Sequence, residues 1–265
     1  MINTWATIPP QLVSSAAPLS SPLCSEPEAT QSKEDSDSGL SAAQRTSHSR
    51  QNQGVTPPPA DLTDARRAKS ELRTALLAAR ANRKTHDRTA ISAALAHAFD
   101  TALGDRFRAV TPGPTIATYL SVGTEPGTAP LNALFATLAV SILAPVLTDD
   151  GDLDWAVADT DSLAEQPGLR STREPTGARL GRNAITNADL VLVPALAVDR
   201  AGHRLGRGGG SYDRALTRVQ ATATVLAVVH DDEVLNAVPS EPHDRPVDGV
   251  LTPSGVIYFA TTGRP

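Results

Sequence analysis

The chain has 265 residues, a formal net charge of −5 and only 3% aromatic residues. That length holds one α/β domain of ordinary size plus a tail, or two small domains, and the acidic balance does not favour nucleic acid or an anionic membrane as a bulk partner, so any positive patch is local. The single cysteine, Cys24, excludes an internal disulfide and a thiolate-rich metal site and suits a reducing cytoplasm.

Residues 1 to about 60 are about one third Ser plus Pro and lack hydrophobic periodicity, so they read as a disordered tail ahead of a folded domain over 61–265. Trp5 and Ile8 are isolated apolar residues there. The tail also lacks the early basic cluster and compact apolar core of a signal peptide. No run in the chain approaches the roughly 20 apolar residues of a membrane span. Met1 is the only methionine, and the composition break near residue 60 marks Val55 as a candidate GTG start.

From Leu62, LTDARRAKSELRTALLAARANR predicts a helix with Thr63 as N-cap. Its predicted apolar face is Ala65, Ala68, Leu72, Ala75, Leu76 and Ala79. A second helix is predicted over about 87–103. TIATYLS (115–121) reads as a strand, TAPLNALFATLA as a helix, and VSILAPVL and LDWAVA as strands. ADLVLVPALAV (188–198) is a nearly continuous apolar run, as in a strand covered on both faces. YDRALTRVQ reads as a helix, and TVLAVVH and DGVLTP as strands. Strands alternating with helices predict a mainly parallel sheet in an α/β domain.

Between the 188–198 strand and the YDRALTRVQ helix lies HRLGRGGGSYDRAL, with four glycines, three arginines and an aspartate. In open parallel sheets ligands bind at the carboxyl ends of strands. A glycine loop there exposes backbone N–H groups, and Arg204, Arg207 and Arg214 add planar cationic forks suited to phosphate. The run is neither a P-loop, which needs Lys-Ser/Thr after its last glycine, nor a dinucleotide fingerprint, whose third glycine is replaced by Ser211. A flexible strand-to-helix connection is the bland alternative. The arginines and Asp213 favour an anion and metal site, with Asp213 as a Mg²⁺ ligand and Asp248 as a second carboxylate.

Lys69, Arg73 and Arg80 fall on one stripe of the first helix, fit to clasp a polyphosphate or simply to form a solvated face. Glu125 is the one carboxylate in SVGTEPGT (121–128). PSEPHDRPVDGVLTP carries Glu241, His243, Asp244 and Asp248; His243–Asp244 suggests acid–base work, although Pro-rich turns often hold such residues idly. His86, His97, His203 and His230 show no metal-ligand spacing and read as structural.

PALAVDRAGHRLGRGGGSYDRAL strongly resembles the signature of 5-formyltetrahydrofolate cyclo-ligases, also called 5,10-methenyltetrahydrofolate synthetases. KSELR, YLSVGTEPGT, STREPTG and PSEPHDRPVDGVLTP follow in the family's order, so the resemblance covers about residues 62–255. It implies a three-layer α/β single domain similar to ribose-5-phosphate isomerase and CoA transferases. It implies that ATP and 5-formyltetrahydrofolate are the substrates, with Mg²⁺, and that the products are 5,10-methenyltetrahydrofolate, ADP and phosphate. The formyl oxygen attacks the γ-phosphate, N10 attacks the phosphorylated imine, and phosphate leaves.

By the same resemblance, Lys69 and Arg73 match an ATP-binding pair. Arg204, Leu205, Gly206, Arg207, Gly208, Gly209, Gly210, Ser211 and Tyr212 match the loop that wraps ATP, its Arg207–Ser211 part also lying against the folate. Leu120 and Glu125 match substrate-binding positions, and Asp213 and Asp248 match the Mg²⁺ aspartates. Arg207, Tyr212 and Asp213 carry the catalytic assignment. Ser211 departs from the family, which commonly has an aromatic residue there, and the tail is outside its pattern. The expected protein is a cytoplasmic monomer acting on small molecules, without nucleic-acid or membrane partners. A non-catalytic folate- or nucleotide-binding relative, a sugar-phosphate isomerase and an RNA-interaction module are the competing readings.

Overall fold

The computed structural model describes residues 62–108, 110, 113–158, 175 and 177–260. All belong to a compact unit spanning Pro58–Pro265. The expected tail, with Trp5, Ile8, Cys24 and Val55, lies outside the described residues, as does most of STREPTG.

Among the described residues, ten strands form two sheets. The larger has the order β10-β9-β7-β4-β1-β2-β3, where β1 is Thr115–Ala117, β2 Ser141–Leu147, β3 Leu153–Val157, β4 Leu190–Pro194, β7 Thr224–Val228, β9 Gly249–Thr252 and β10 Gly255–Tyr258. Its inner pairs β9·β7, β7·β4, β4·β1 and β1·β2 are parallel, and both edge pairs are antiparallel. Strict alternation divides the core. Ile116, Ile142, Leu190, Leu192, Leu226 and Val228 face one side, where they pack on Phe99 of helix α2 (Thr85–Phe99) and on Leu131 and Phe135 of α4 (Ala129–Thr137). Ala117, Leu143, Val191, Val193, Val225 and Ala227 face the other side. There they meet Trp155, Ile185 and the helix α5 (Ser211–Leu216). The result is three layers, as expected of an α/β domain.

The second helix is longer than its periodicity suggested. After α2 the chain makes a π-turn over Asp100–Gly104 and continues as α3 (Asp105–Arg108).

The predicted strand 115–121 is cut short after Ala117. Side chains of α4 and the residue before it take over: Thr118 Oγ1 donates to Asn132 Oδ1 at 2.8 Å, and Thr128 Oγ1 to Tyr119 O at 2.9 Å.

The run 188–198 is two strands rather than one. Pro194 ends β4, and the chain then enters a second sheet as β5 (Ala197–Asp199), flanked by β6 (Arg204–Leu205) and β8 (Val234–Leu235) in the order β6-β5-β8. Apolar continuity does not distinguish one buried strand from two in different sheets.

Helix α1 (Leu62–Ala81) packs on this smaller sheet through Leu72 and Leu76, against Leu196, Ala197, Leu205 and Val238. Its inward face differs from the expected alanine stripe. Ala75 and Ala79 are exposed, whereas Lys69 and Arg80 are buried. Two cations sit on this face because the surface opposite offers carboxylates and a carbonyl, as described below.

Candidate active site

A cavity of about 520 Å³ opens at the carboxyl ends of β2 and β4. Leu147, at the end of β2, and Leu153 form an apolar wall. Pro194, Ala195 and Leu196 line it where the chain crosses between sheets. Lys69 and Arg73 enter from α1, the 204–213 segment arches across, and Glu125, Glu241, His243 and Asp244 complete the rim.

The glycine loop is held in shape from three directions. Arg73 Nε donates to Gly206 O at 2.9 Å. Arg207 Nε lies 3.1 Å from Glu125 Oε1 and so ties the loop to the segment after β1. Ser211 Oγ donates to Gly151 O at 2.5 Å, and the Arg214 guanidinium reaches the same carbonyl from the loop's far side. Gly208 (φ +106°) and Gly210 (φ +69°) hold left-handed backbone that a side chain resists. A methyl on Gly208 would also stand 3.7 Å from the Arg73 guanidinium. Gly208→Ala is therefore expected to strain the loop by about 1–2 kcal/mol, read as a lower urea midpoint.

Charge in the cavity is arranged as ion pairs between its own walls. Lys69 Nζ donates to Glu241 Oε2 at 2.9 Å and to Asp244 Oδ2 at 2.5 Å, and Arg66 Nε takes the other Glu241 oxygen at 2.9 Å. These hydrogen bonds, Lys69's foremost, push the Glu241 carboxyl down to about 2. Across the cavity Arg204 Nη2 donates to Asp213 Oδ1 at 2.7 Å, and the Arg245 N–H reaches the same oxygen at 3.3 Å. Ligand atoms of Glu241, His243 and Asp244 lie within 4.8 Å of one another, and the Lys69 ammonium is the cation on their two carboxylates.

Glu125 differs from these acids. Burial raises its carboxyl above the usual range despite the Val122 N–H at 2.8 Å and Arg207. A folded acid with a raised value binds its proton more tightly than the unfolded chain does. Stability is therefore fullest below the ordinary glutamate value and declines as pH rises from there through the raised value. The denaturant midpoint of the wild type relative to Glu125→Gln is expected to fall as pH rises across that window.

Tyr212 packs between the two core faces, and burial raises its hydroxyl above the ordinary value. The buried Tyr119 hydroxyl, in the electrostatic field of Glu125 and Tyr212, has no hydrogen-bond partner among the described residues.

Most residues singled out in the sequence meet here: Lys69, Arg73, Glu125, the whole of 204–212 and Asp213 line one cavity. Four do not behave as expected. Leu120 packs on the α2–α4 side of the core and is not among the lining residues. Arg214 is spent on the carbonyls of Gly151 and Gly209. Arg80 touches the cavity, but it is locked to Glu233 by two contacts of 2.7 Å and to Ala195 O at 2.6 Å. Asp248 lies at the amino end of β9, with its Oδ2 accepting the Val225 N–H at 2.7 Å, so it sits at the opposite end of the parallel strands from the cavity. Asp244, four residues earlier, is the carboxylate that lines the cavity from that segment.

Helix α5 ends at Leu216, short of the predicted 220, so its six residues add little dipole and the loop's own N–H groups matter more. His203 is structural, with Nδ1 3.0 Å from Asp199 Oδ2. Arg66 and Gly151 are participants with no local sequence signal. The pairing of Glu241 and Asp244 with Lys69 spans more than 170 residues of chain.

The 5-formyltetrahydrofolate cyclo-ligase family model matches residues 65–253. The 5-formyltetrahydrofolate cyclo-ligase of Mycolicibacterium smegmatis is 41% identical over 194 residues, covering 71% of this chain and 94% of that protein. The NMR structure of Aquifex aeolicus 5,10-methenyltetrahydrofolate synthetase superposes with a TM-score of 0.58 at 25% identity, over 74% of this chain and 95% of that one. The 5,10-methenyltetrahydrofolate synthetase of Mycoplasma pneumoniae shares the fold, with a TM-score of 0.53 at 17% identity over 70% and 98% of the two chains.

Proposed function

The chain belongs to the 5-formyltetrahydrofolate cyclo-ligase family, and we propose that its cavity closes 5-formyltetrahydrofolate to 5,10-methenyltetrahydrofolate, coupled to cleavage of ATP to ADP and phosphate. The observation that carries this reading is the convergence of Lys69, Arg73, Arg204 and Arg207 on a loop of glycines, in one cavity with Asp213 and Asp244. Phosphoryl transfer asks for positioning and charge stabilisation rather than a protein nucleophile, and this cavity is built of groups that do both.

In this reading the 206–210 backbone amides, Arg73 and Lys69 receive the phosphates. Arg207 stands between nucleotide and folate, oriented by Glu125, and neutralises charge as the formyl oxygen attacks the γ-phosphate. Glu125 accepts hydrogen bonds from the pterin ring. Tyr212, wedged between the two core layers, fixes the far end of the loop. Ser211, at the commonly aromatic position, supplies no ring face to the folate and instead anchors the loop to Gly151.

The hard oxygen donors of Asp213 and Asp244 fit Mg²⁺, and the Arg245 N–H on Asp213 shows that the two segments adjoin. These two would hold the ion, in place of the pair Asp213 and Asp248, and the ion would neutralise phosphate charge.

We further infer that the three layers follow the pattern of ribose-5-phosphate isomerase and CoA transferases, which the parallel order β9-β7-β4-β1-β2 supports. The same reading makes the protein a cytoplasmic monomer with a disordered tail over 1–60. No helix among the described residues is long and apolar enough to cross a membrane.

The test is ADP release from MgATP by the purified chain, with and without 5-formyltetrahydrofolate. ADP formed only with the folate supports the reading. Release that ignores the folate, or none under either condition, contradicts it.

A further inference from the structure

We propose that Glu241 makes this cavity selective for the metal–nucleotide complex over free polyanions: its carboxylate occupies the place of a phosphate on Lys69 until a cation arrives for the carboxylates. The proposal rests on the nucleotide reading above and assigns Glu241 a specificity role beyond it.

Lys69 is 4% exposed, and its ammonium sits between Glu241 and Asp244, themselves 7% and 13% exposed. Two of its three N–H donors are already spent. Glu241 is also pinned by Arg66, whose side chain is 69% exposed at the outer rim. The other walls repeat the pattern, with Arg204 on Asp213 and Arg207 on Glu125. Lys69, Arg204 and Arg207 are thus each held by an acid of the same cavity, whereas Arg73 is held by the Gly206 carbonyl.

A free polyanion that takes Lys69 leaves two partly buried carboxylates short of a partner and meets them as like charges. A divalent cation arriving with the anion removes both penalties. The phosphates take the ammonium while the carboxylates turn to the metal, so anion and metal bind as one unit. Glu241 is the natural gate because each of its two carboxylate oxygens is taken by a cation, Arg66 on one and Lys69 on the other. Asp244 differs in also accepting the Glu241 N–H, at 2.6 Å, and so shapes the turn itself.

The test is calorimetric binding of a non-hydrolysable ATP analogue to the full chain, once with Mg²⁺ and once with EDTA, for the wild type and Glu241→Gln. The wild type is expected to bind the analogue at least about tenfold more tightly with Mg²⁺. In EDTA, Glu241→Gln tightens binding about tenfold, and with Mg²⁺ it changes affinity far less, so the metal preference shrinks. Unchanged or weaker binding by Glu241→Gln in EDTA overturns the proposal and reduces Glu241 to a support for Lys69. A wild type that binds no analogue in either arm contradicts the nucleotide reading, and the proposal with it. If Glu241→Gln does not fold, Glu241→Ala is read in the same two arms.

Discussion

Asp213→Asn is expected to lower kcat by about 10²–10³-fold while the protein keeps its fold. The carboxylate is the acceptor for Arg204 Nη2 at 2.7 Å and for the Arg245 N–H, and it lines the cavity beside the glycine loop. Asparagine keeps an oxygen for Arg204, so the arginine, itself only 3% exposed, stays partnered and the melting temperature moves little. The negative charge is lost, and with it the attraction for a divalent cation. Binding of the nucleotide in EDTA should survive, whereas the gain from Mg²⁺ should shrink. Asp213→Ala removes the oxygen as well, so it adds a stability loss to the catalytic one. Single-turnover kinetics and thermal melts of the two variants separate these effects. Wild-type turnover in Asp213→Asn would contradict the assignment.

Arg80→Ala is expected to destabilise the fold by about 3–5 kcal/mol, the usual consequence of leaving one partner of a buried ion pair alone. Arg80 is 1% and Glu233 2% exposed, and the two meet side-on through two contacts of 2.7 Å. Arg80 also donates to Ala195 O at 2.6 Å, the carbonyl at the crossover between the two sheets, so its loss loosens α1 from the cavity floor. The paired replacement Arg80→Met with Glu233→Leu should recover most of the loss, because no charge is then buried without a partner. Urea midpoints of the single and paired variants measure both effects. A single variant within about 1 kcal/mol of the wild type would show that solvent reaches Glu233 more freely than its burial indicates.

The cavity was legible where its residues are contiguous. Glycines and arginines within 204–213 announce a strained cationic loop, and the strand before and helix after place it at the carboxyl end of a sheet. The stripe of Lys69 and Arg73 followed from helical spacing alone.

What spacing does not carry is the identity of the opposite wall. Lys69 and Arg80 looked alike on the helix. One faces the turn at 241–244 and lines the site, and the other faces Glu233 and holds the fold. Ala75 and Ala79 read as core because apolar residues usually are, yet α1 buries its charged edge instead. Asp244 and Asp248 are separated by one helical turn's worth of residues in a segment that is extended. Asp244 lines the cavity, and Asp248 sits at the amino end of the strands, bonded to the Val225 N–H, a difference that spacing alone does not reveal. The second sheet was hidden for a similar reason: nothing in VLVPALAV except Pro194 marks where one strand ends.

The most direct test of the central claim is the near-UV absorbance of the purified chain mixed with 5-formyltetrahydrofolate and MgATP. The conjugated methenyl product absorbs where the substrate does not, so the account predicts a rise that requires protein, folate and MgATP together. A flat trace from folded protein that still binds the folate would contradict it.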